Sequence, residues 1–272
     1  MPELPEVETI RTDLQKLIVG KKITRISSDS LKQVQPSLGI VEKEIVGAKI
    51  VKVNRRAKLL QIFLDNGKIL VIHLKLTGRL LFRPENQIAD QWTHVVISFS
   101  DQTELRFADS RKFGFIKLIE NEKDLDKILS GYGLEPLSDL TLEKFKEILK
   151  KNSRAIKIIL MDQTKISGIG NIYACESLFL AKIDPRRPAK SLNNKEAEIL
   201  FKKIEEVLKL GLKYRGASDQ YYLDAYGEKG SYQKHFLVYG KKGENCPNNC
   251  GVKTKRIVVG GRGTFYCPAC QK

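Results

Sequence analysis

The sequence predicts an α+β fold with a β-rich N-terminal part, a helical part after it and a cysteine-rich end. Short apolar runs separated by turn signals occupy residues 23–120, and apolar residues at helical spacing follow from residue 142 to 212. Four of the five cysteines lie after residue 245. Because strands and helices form separate blocks rather than alternating, an antiparallel sheet structure with a segregated helical part is favoured.

The composition indicates a globular protein with a polyanionic partner. The chain has 272 residues, of which 42% are hydrophobic, so one large or two medium domains are expected. Its net charge of +16 favours nucleic acid as the partner, although a solvated basic surface is the simpler alternative. No long apolar run or signal peptide is visible, so we expect a soluble, cytoplasmic protein that binds no membrane.

The first six residues, Met1 to Glu6, contain a candidate nucleophile. Removal of Met1 would leave Pro2 with a free secondary amine, whose pKa of about 8 keeps much of it unprotonated near neutral pH. Such an amine can form a Schiff base with a carbonyl-like carbon, and the flanking carboxylates of Glu3 and Glu6 suit general acid/base catalysis. The alternative is an ordinary helix start, where Pro and Glu are both favoured.

Periodicity predicts the elements of the N-terminal part. A helix is expected over residues 5–19, with Gly20 as its C-cap. Strands are expected in a β-sandwich or barrel, with hairpin turns at 65–67 and 100–102. The predicted strands are Ile45–Val53, Leu59–Leu64, Ile69–Leu74, Val95–Phe99, Glu104–Phe107 and Phe113–Ile119.

Three insertions that mix basic and apolar residues interrupt the β region at 55–58, 73–78 and 109–114. They suit either solvated loops or an edge that faces DNA, where cations meet phosphates and an apolar tip enters the base stack. A polar connector is expected over residues 120–140.

The helical part contains a glycine-rich turn. Helices are predicted over 142–149, 155–161, 172–180 and 195–212, and residues 167–171 read SGIGN between two of them. Such a turn lets backbone N–H groups approach a phosphate, and Asn171 can add a side-chain donor; a plain tight turn is equally consistent. Residues 214–233 show no period and resemble a mobile lid.

The C-terminal cysteines predict a structural zinc site with four thiolate ligands, because two close pairs are separated by a loop. The pairs are Cys246 with Cys250 and Cys267 with Cys270. Between them, a β-ribbon presenting Arg262 to DNA is the functional interpretation. Cys175 is expected to be a buried free thiol.

Taken in order, these motifs closely resemble bacterial formamidopyrimidine-DNA glycosylases, of the formamidopyrimidine-glycosylase/endonuclease VIII superfamily. The resemblance rests on MPELPEVET, RRAKLL, DSRKFG, DQTKISGIGNIYACE, GSYQKHFLVYG and the final cysteines, and it covers essentially the whole chain.

The resemblance implies an N-terminal antiparallel β-sandwich with a catalytic helix, and a helix–two-turn–helix module with a four-cysteine zinc finger. The implied domains are 1–130, 131–233 with a lesion-capping loop, and 234–272. DNA containing oxidised bases or abasic sites is the implied partner, bound by a monomer across a cleft between the domains. One Zn²⁺ is the implied cofactor.

The resemblance also implies roles for individual residues. Pro2 is the nucleophile on C1′, Glu3 the acid, Glu6 an organiser of the site, and Lys58 a catalytic and phosphate-binding cation. Further implied DNA contacts come from His73, Asn171 and Arg262, and from Leu76, Arg111 and Phe113, which fill the void left by a flipped base. Ser218, Tyr222 and Asp224 belong to the implied lesion-capping loop.

This chain departs from the family pattern beside the lesion. It reads HLKLTG where the family usually reads HLGMSG, so Leu76 replaces a methionine and Lys75 replaces a glycine. Lys75 adds a cation and removes backbone freedom. Two alternatives remain open: an endonuclease VIII-like enzyme for oxidised pyrimidines, and a non-catalytic protein that binds damaged DNA.

Overall fold

The protein has a mixed α+β fold, as the sequence predicts. In this computed structural model, residues 1–219 and 221–272 are described. Their contacts divide into two compact units. One contains Met1–Ser130 with Tyr214–Gln233, and the other contains Gly131–Lys213 with Lys234–Lys272. Residues 214–233 thus belong to the first unit by their contacts, and the predicted domains 1–130, 131–233 and 234–272 stay a prediction.

The first unit is built from two β-sheets and the N-terminal helix. The four-stranded sheet has the order β1-β7-β8-β6, and the five-stranded sheet has the order β2-β9-β5-β4-β3. The elements are α1 (Leu4–Leu17), β1 (Ile23–Ser28), β2 (Val34–Gln35), α2 (Leu38–Ile45), β3 (Ile50–Arg56), β4 (Leu59–Leu64), β5 (Ile69–His73), β6 (Arg79–Pro84), β7 (Thr93–Phe99), β8 (Thr103–Ala108), β9 (Phe115–Ile119) and α3 (Glu122–Leu129).

One hydrophobic core joins the two sheets and α1. Val7, Ile10 and Leu14 of the helix pack in it with residues of both sheets, and all three are fully buried. All pairings within the sheets are antiparallel except that of β2 with β9. The core therefore fixes α1, and the chain start that precedes it, against a rigid sheet structure.

Several predicted elements of this unit need correction. The run Ile45–Val53 is not one strand, because residues 38–45 form α2, whose N-cap Ser37 accepts a hydrogen bond from the Ile40 backbone N–H. The supposed polar connector contains α3, capped by Asn121 in the same way. Strands β1, β2 and β6 were not predicted. The turns at 65–67 and 100–102 do connect hairpins, with Gly67 and Gln102 at positive φ.

The second unit is helical and ends in a two-stranded hairpin. Its helices are close to those predicted: α4 (Leu142–Lys150), α5 (Ile156–Met161), α6 (Asn171–Leu180) and α7 (Asn194–Lys213). The hairpin strands are β10 (Lys255–Val259) and β11 (Arg262–Tyr266). Among the described residues, no helix is both long and apolar enough to cross a membrane.

Candidate active site

The chain start is held by a reciprocal cap on α1. Glu3 is the N-cap residue, and its side chain accepts a hydrogen bond from the Glu6 backbone N–H. In return, Glu6 Oε2 accepts from the Glu3 backbone N–H at 2.8 Å. Such a capping box satisfies two backbone donors at the helix start, a place where negative charge is also favoured. Pro2 is buried beside it, whereas Met1 is 48% exposed.

Glu6 also connects this helix start to the loop at residues 216–230. Its Oε1 accepts a hydrogen bond from the Ala217 backbone N–H at 2.8 Å. Gly216 has φ +83°, and a Cβ there would lie 2.8 Å from Glu6 Cγ, so only glycine fits beside this carboxylate. Both Glu3 and Glu6 are 2% exposed. One carboxylate thus ties the candidate catalytic end of α1 to the predicted lesion-capping loop.

The base of that loop is anchored by Arg215, which pairs with two buried carboxylates. Arg215 Nη2 pairs with Asp13 of α1 at 2.7 Å, and Arg215 Nε donates to Asp224 at 3.1 Å. Burial raises the pKa of Asp13, and the Arg215 guanidinium opposes that shift. Tyr222 packs in the hydrophobic core, and burial raises the pKa of its hydroxyl well above the usual value.

The three residues named for the capping loop therefore anchor it in this structure. The side chains of Tyr222 and Asp224 are buried in the protein, and their part in capping a lesion stays a prediction. Ser218 Oγ donates to Tyr222 O at 2.8 Å and accepts from the Gly230 N–H at 3.0 Å, which closes the two ends of the loop. Gln220, within the same loop, lies outside the described residues.

Lys58 lies in a two-residue turn between β3 and β4, whose register pairs Arg56 with Leu59. Ala57 precedes it at φ +55°, and Arg55 Nη1 donates to Ala57 O at 2.9 Å. Lys58 is 4% exposed. A tight turn supported by an arginine thus holds a nearly buried cation at a defined place.

His73 ends β5 and is followed by the two residues that depart from the family pattern. Its Nδ1 accepts a hydrogen bond from the Lys75 backbone N–H at 3.0 Å. Burial lowers the pKa of His73 to about 3, and the charges of Lys75 and Lys58 act in the same direction. The ring is therefore neutral at physiological pH. Leu76 is partly exposed at the tip of this turn.

The predicted void-filling residues lie on a second loop, which a buried carboxylate organises. Arg111 stacks on Phe113 with 4.8 Å between the guanidinium carbon and the ring centroid, and Phe113 is 53% exposed. Asp109 is fully buried and accepts hydrogen bonds from the backbone N–H groups of Arg111 and Gly114. It also accepts one from the Thr77 hydroxyl. Asp109 thereby connects the loop of Leu76 to the loop of Arg111 and Phe113.

Asp109 is a functional position that the sequence analysis passed over. The signal was present in the order Asp-Ser-Arg-Lys-Phe-Gly, because an Asp that is followed closely by Gly commonly bonds to the backbone ahead of it. Gly114 is equally constrained, since a Cβ there would lie 2.4 Å from Phe107 Cζ.

In the second unit, a buried lysine links Asn171 to the hairpin strand that begins at Arg262. Lys157 is fully buried and donates to Asn171 Oδ1 and to Thr264 Oγ1, both at 2.6 Å. The Asn171 amide in turn donates to Gly263 O at 3.0 Å, next to the exposed Arg262. The helix start and the hairpin tip are thus held by one cation. Sequence reasoning missed Lys157, because a lysine within an apolar helix gives no local sign of its partners.

The four C-terminal cysteines form a metal site. Their sulfur atoms all lie within 4.8 Å of one another, with Cys246 and Cys270 at 3.6 Å and Cys250 and Cys267 at 3.5 Å. A tetrahedral zinc with Zn–S bonds of about 2.3 Å needs sulfur atoms about 3.8 Å apart, so the donor set fits Zn²⁺. Four thiolates complete the coordination and leave no place for a catalytic water. The site is therefore structural.

Two further residues complete the frame around the metal site. Glu176 of α6 accepts hydrogen bonds from three successive backbone N–H groups, at residues 237–239, at 2.8 to 3.0 Å. Burial raises the pKa of Glu176, and these hydrogen bonds oppose the shift. Cys175 is a buried free thiol, as predicted, and packs with Cys246 and Cys267.

Comparison with known proteins agrees with these features. The chain matches the family models of the formamidopyrimidine-DNA glycosylase N-terminal domain over residues 1–116 and of the H2TH domain of the same enzyme over 132–222. It also matches a zinc finger found in FPG and IleRS over 243–272.

Full-length relatives give the same result. The chain is 41% identical to formamidopyrimidine-DNA glycosylase of Pelotomaculum thermopropionicum, over all of this chain and 99% of the relative. It is 42% identical to that of Herpetosiphon aurantiacus, over all of both chains. Among solved structures, Lactococcus lactis Fpg bound to DNA with an abasic site is similar, with a TM-score of 0.93, 36% identity and 99% of each chain covered. This chain belongs to the formamidopyrimidine-DNA glycosylase family.

Proposed function

We propose that this protein is a DNA glycosylase and AP lyase of base excision repair that removes oxidised purines such as 8-oxoguanine and formamidopyrimidines. The observation that carries the proposal is the buried arrangement at the chain start. Pro2 precedes an N-cap carboxylate, Glu3, whose geometry is fixed by Glu6. The chemistry needs an amine and an acid, and here a second carboxylate holds the acid in place.

The proposed reaction begins once Met1 has been removed and the damaged nucleotide has left the base stack. The Pro2 nitrogen lone pair forms a bond to C1′ as the bond from C1′ to the base breaks. The base leaves with the bonding electron pair and takes up the proton that the Pro2 amine loses. Glu3 gives a proton to the ring oxygen as the C1′–O4′ bond opens, which leaves a positively charged iminium. That charge acidifies the C2′ proton, which passes to water; the electrons of the C2′–H bond form the C2′–C3′ double bond, and the C3′–O bond breaks to release the 3′ phosphate. A second elimination expels the 5′ phosphate.

The DNA-binding residues divide into two groups in this proposal. Leu76, Arg111 and Phe113 fill the void in the duplex, with Arg111 facing the orphaned base and cytosine preferred there. Lys58, His73, Asn171 and Arg262 bind phosphates around the everted nucleotide. The partly exposed aromatic ring of Phe113, stacked with a guanidinium, suits insertion between bases.

Assays on a set of duplexes test the substrate class. They should contain 8-oxoguanine opposite C or A, 5-hydroxyuracil, an abasic site or no damage. Fastest excision of 8-oxoguanine opposite C, with phosphates on both ends of the gap, is expected. Faster excision of 5-hydroxyuracil would favour an endonuclease VIII-like specificity. Binding of damaged DNA without any cleavage would favour a non-catalytic protein.

The salt dependence of binding tests the phosphate contact of Arg262. Each lost phosphate contact lowers the slope of log K against log salt by about 0.9. Arg262→Ala should show that reduction on a duplex with a tetrahydrofuran site. Lys202→Ala is the matched control, because Lys202 is an exposed cation that pairs with Glu198 on α7. An equal slope for Arg262→Ala and the control would remove Arg262 from the interface.

A further inference from the structure

Lys75 occupies a backbone conformation that does not favour a side chain. Its φ is +52°, in the left-handed region, where residues other than glycine pay about 1 kcal/mol or more. The family pattern has glycine at this position, for which the conformation carries no such cost. A strained residue next to an active site is often retained for what its side chain contributes there.

The Lys75 side chain is held close to His73. Its ammonium nitrogen lies 5.6 Å from the centroid of the Phe115 ring, and the His73 ring packs 6.0 Å from the same aromatic. The Lys75 backbone N–H bonds to His73 Nδ1 at 3.0 Å. Residues 73 and 75 are therefore connected by a hydrogen bond, and both side chains pack against the Phe115 ring.

The same hydrogen bond decides which nitrogen of His73 carries the proton. Since Nδ1 accepts from a backbone N–H, it is unprotonated, and the single proton of the neutral ring lies on Nε2. The lowered pKa of His73 keeps the ring neutral over the physiological range. Nε2 is then a fixed donor, and no described residue accepts a hydrogen bond from it.

Two positively charged side chains act on the His73 ring. Lys75 and Lys58 both lie close enough to lower the pKa of His73. No carboxylate in the described parts of the chain forms an ion pair with Lys75. This place therefore combines two ammonium groups with an imidazole N–H. Such a combination, in which Lys75 has no anion as a partner, is suited to bind an external anion.

We propose that Lys75 and His73 Nε2–H bind the same DNA phosphate next to the everted nucleotide, so that Lys75 adds a phosphate contact that the glycine of the family pattern lacks. This inference rests on the proposed function, which supplies the DNA. The interaction between the Lys75 ammonium group and this phosphate offsets the backbone strain at Lys75. The ligand is a backbone phosphodiester, because it offers the hydrogen-bond acceptors that both donors need and the negative charge that complements the ammonium group.

Binding of a tetrahydrofuran-containing duplex, measured by fluorescence anisotropy at several salt concentrations, tests the contact. Lys75→Gln removes the charge, Lys75→Arg keeps it, and Lys52→Gln is the control, because Lys52 also lies over a phenylalanine ring, at 5.8 Å, on another strand. Lys75→Gln should lower the slope of log K against log salt by about 0.9 and weaken binding roughly three- to tenfold. Lys75→Arg and Lys52→Gln should keep the wild-type slope.

Neutral methylphosphonate linkages identify the phosphate. Replacing each phosphate near the lesion in turn should weaken wild-type binding most at one position, and Lys75→Gln should lose most of that sensitivity there while keeping it elsewhere. His73→Ala should lose sensitivity at the same position.

Three results overturn the inference while leaving the proposed function intact. The first is a salt slope for Lys75→Gln equal to that of the wild-type protein, and the second is a wild-type protein equally sensitive to methylphosphonates at every position. The third is that Lys75→Gln and His73→Ala lose their sensitivity at different phosphates. The proposed function fails separately if the wild-type protein neither prefers the tetrahydrofuran duplex to undamaged DNA nor cleaves an abasic site.

Discussion

Replacing Asp109 by Asn should separate base excision from chemistry at an abasic site. The fully buried carboxylate accepts from the Thr77 hydroxyl, from Arg111 N at 3.2 Å and from Gly114 N at 2.7 Å. Asn keeps the size but turns one acceptor atom into a donor. If the amide nitrogen replaces Oδ2, the Gly114 N–H loses its acceptor, and if it replaces Oδ1, the Arg111 N–H does.

The expected loss follows from that count. Hydrogen bonds to a charged acceptor contribute about 1.5–3 kcal/mol each, and a buried donor left without a partner costs about 1–3 kcal/mol. Since at least one backbone donor is orphaned and the others lose a charged acceptor, Asp109→Asn should lower the free energy of unfolding by about 2–4 kcal/mol. The free energy of unfolding of a typical domain is only about 5–15 kcal/mol, so the variant should fold but be less stable than the wild-type protein.

The functional consequence depends on where the lost bonds lie. They hold the loops of Leu76, Arg111 and Phe113, whereas the chain start is held by Glu3 and Glu6. Excision of 8-oxoguanine, which requires base eversion, should therefore fall much more than cleavage of a ready-made abasic site. Urea denaturation and single-turnover assays on the two substrates measure both effects.

A matched control is Asp126→Asn, which removes an exposed carboxylate from α3 and should change stability by no more than about 0.5 kcal/mol. The reasoning is refuted if Asp109→Asn is as stable as this control, or if both substrates slow by the same factor.

The other predictions concern the loop anchor, His73 and the metal. Arg215→Met leaves the nearly buried carboxylates of Asp13 and Asp224 without their cation, so it should lower the free energy of unfolding by about 2–3 kcal/mol. This is less than for a fully buried pair, because Arg215 is half exposed. An unchanged free energy in urea denaturation would show that Arg215 does not anchor the loop. For His73, the folded-state pKa of about 3 lies below an unfolded value of about 6.5, so only the unfolded state takes up a proton between these values. The free energy of unfolding should thus decrease as the pH is lowered below 6.5, by at most about 1.4 kcal/mol per pH unit. His73→Gln should make this decrease smaller, and equal decreases in the wild-type protein and the variant would contradict the prediction. Chelation should release one zinc per chain and weaken DNA binding, because Cys246 and Cys267 share a cluster with Phe179 of α6; active protein without bound metal would contradict the structural role.

The sequence predicted elements whose signals are local. The helical spacing of Val7, Ile10 and Leu14 identified α1, and Asp65-Asn66-Gly67 identified the β4–β5 hairpin. The cysteine spacing identified the metal ligands, since a chelating set repeats within a few residues on each side of a loop. In each case the physical cause of the structure lies within a short stretch of chain.

Elements that depend on tertiary partners were missed. Strand β6 carries too little alternation to be recognised, and it is defined by pairing with β8. Helices α2 and α3 span eight residues each and depend on caps at Ser37 and Asn121. Short helices of this kind are marginal without packing, so periodicity alone gives a weak signal.

Within the site, the catalytic candidates were visible in the sequence and their supports were not. The Arg215–Asp13 pair joins residues 202 positions apart, and the Glu6–Ala217 hydrogen bond spans 211. Tyr222 and Asp224 lie in a segment without sequence periodicity, and only the fold shows that Tyr222 packs against the core and Asp224 pairs with Arg215. Contacts of this range arise from the assembled fold and leave no pattern in a single sequence.

The most direct test of the central claim is borohydride trapping followed by peptide mass spectrometry on wild-type protein and Pro2→Gly. The account predicts that Met1 is absent from active protein and that an abasic-site or 8-oxoguanine duplex is trapped on the Pro2 nitrogen. It also predicts a much reduced yield for the folded glycine variant, which keeps a weaker amine. An adduct on a lysine such as Lys58, or undiminished trapping by Pro2→Gly, would contradict it.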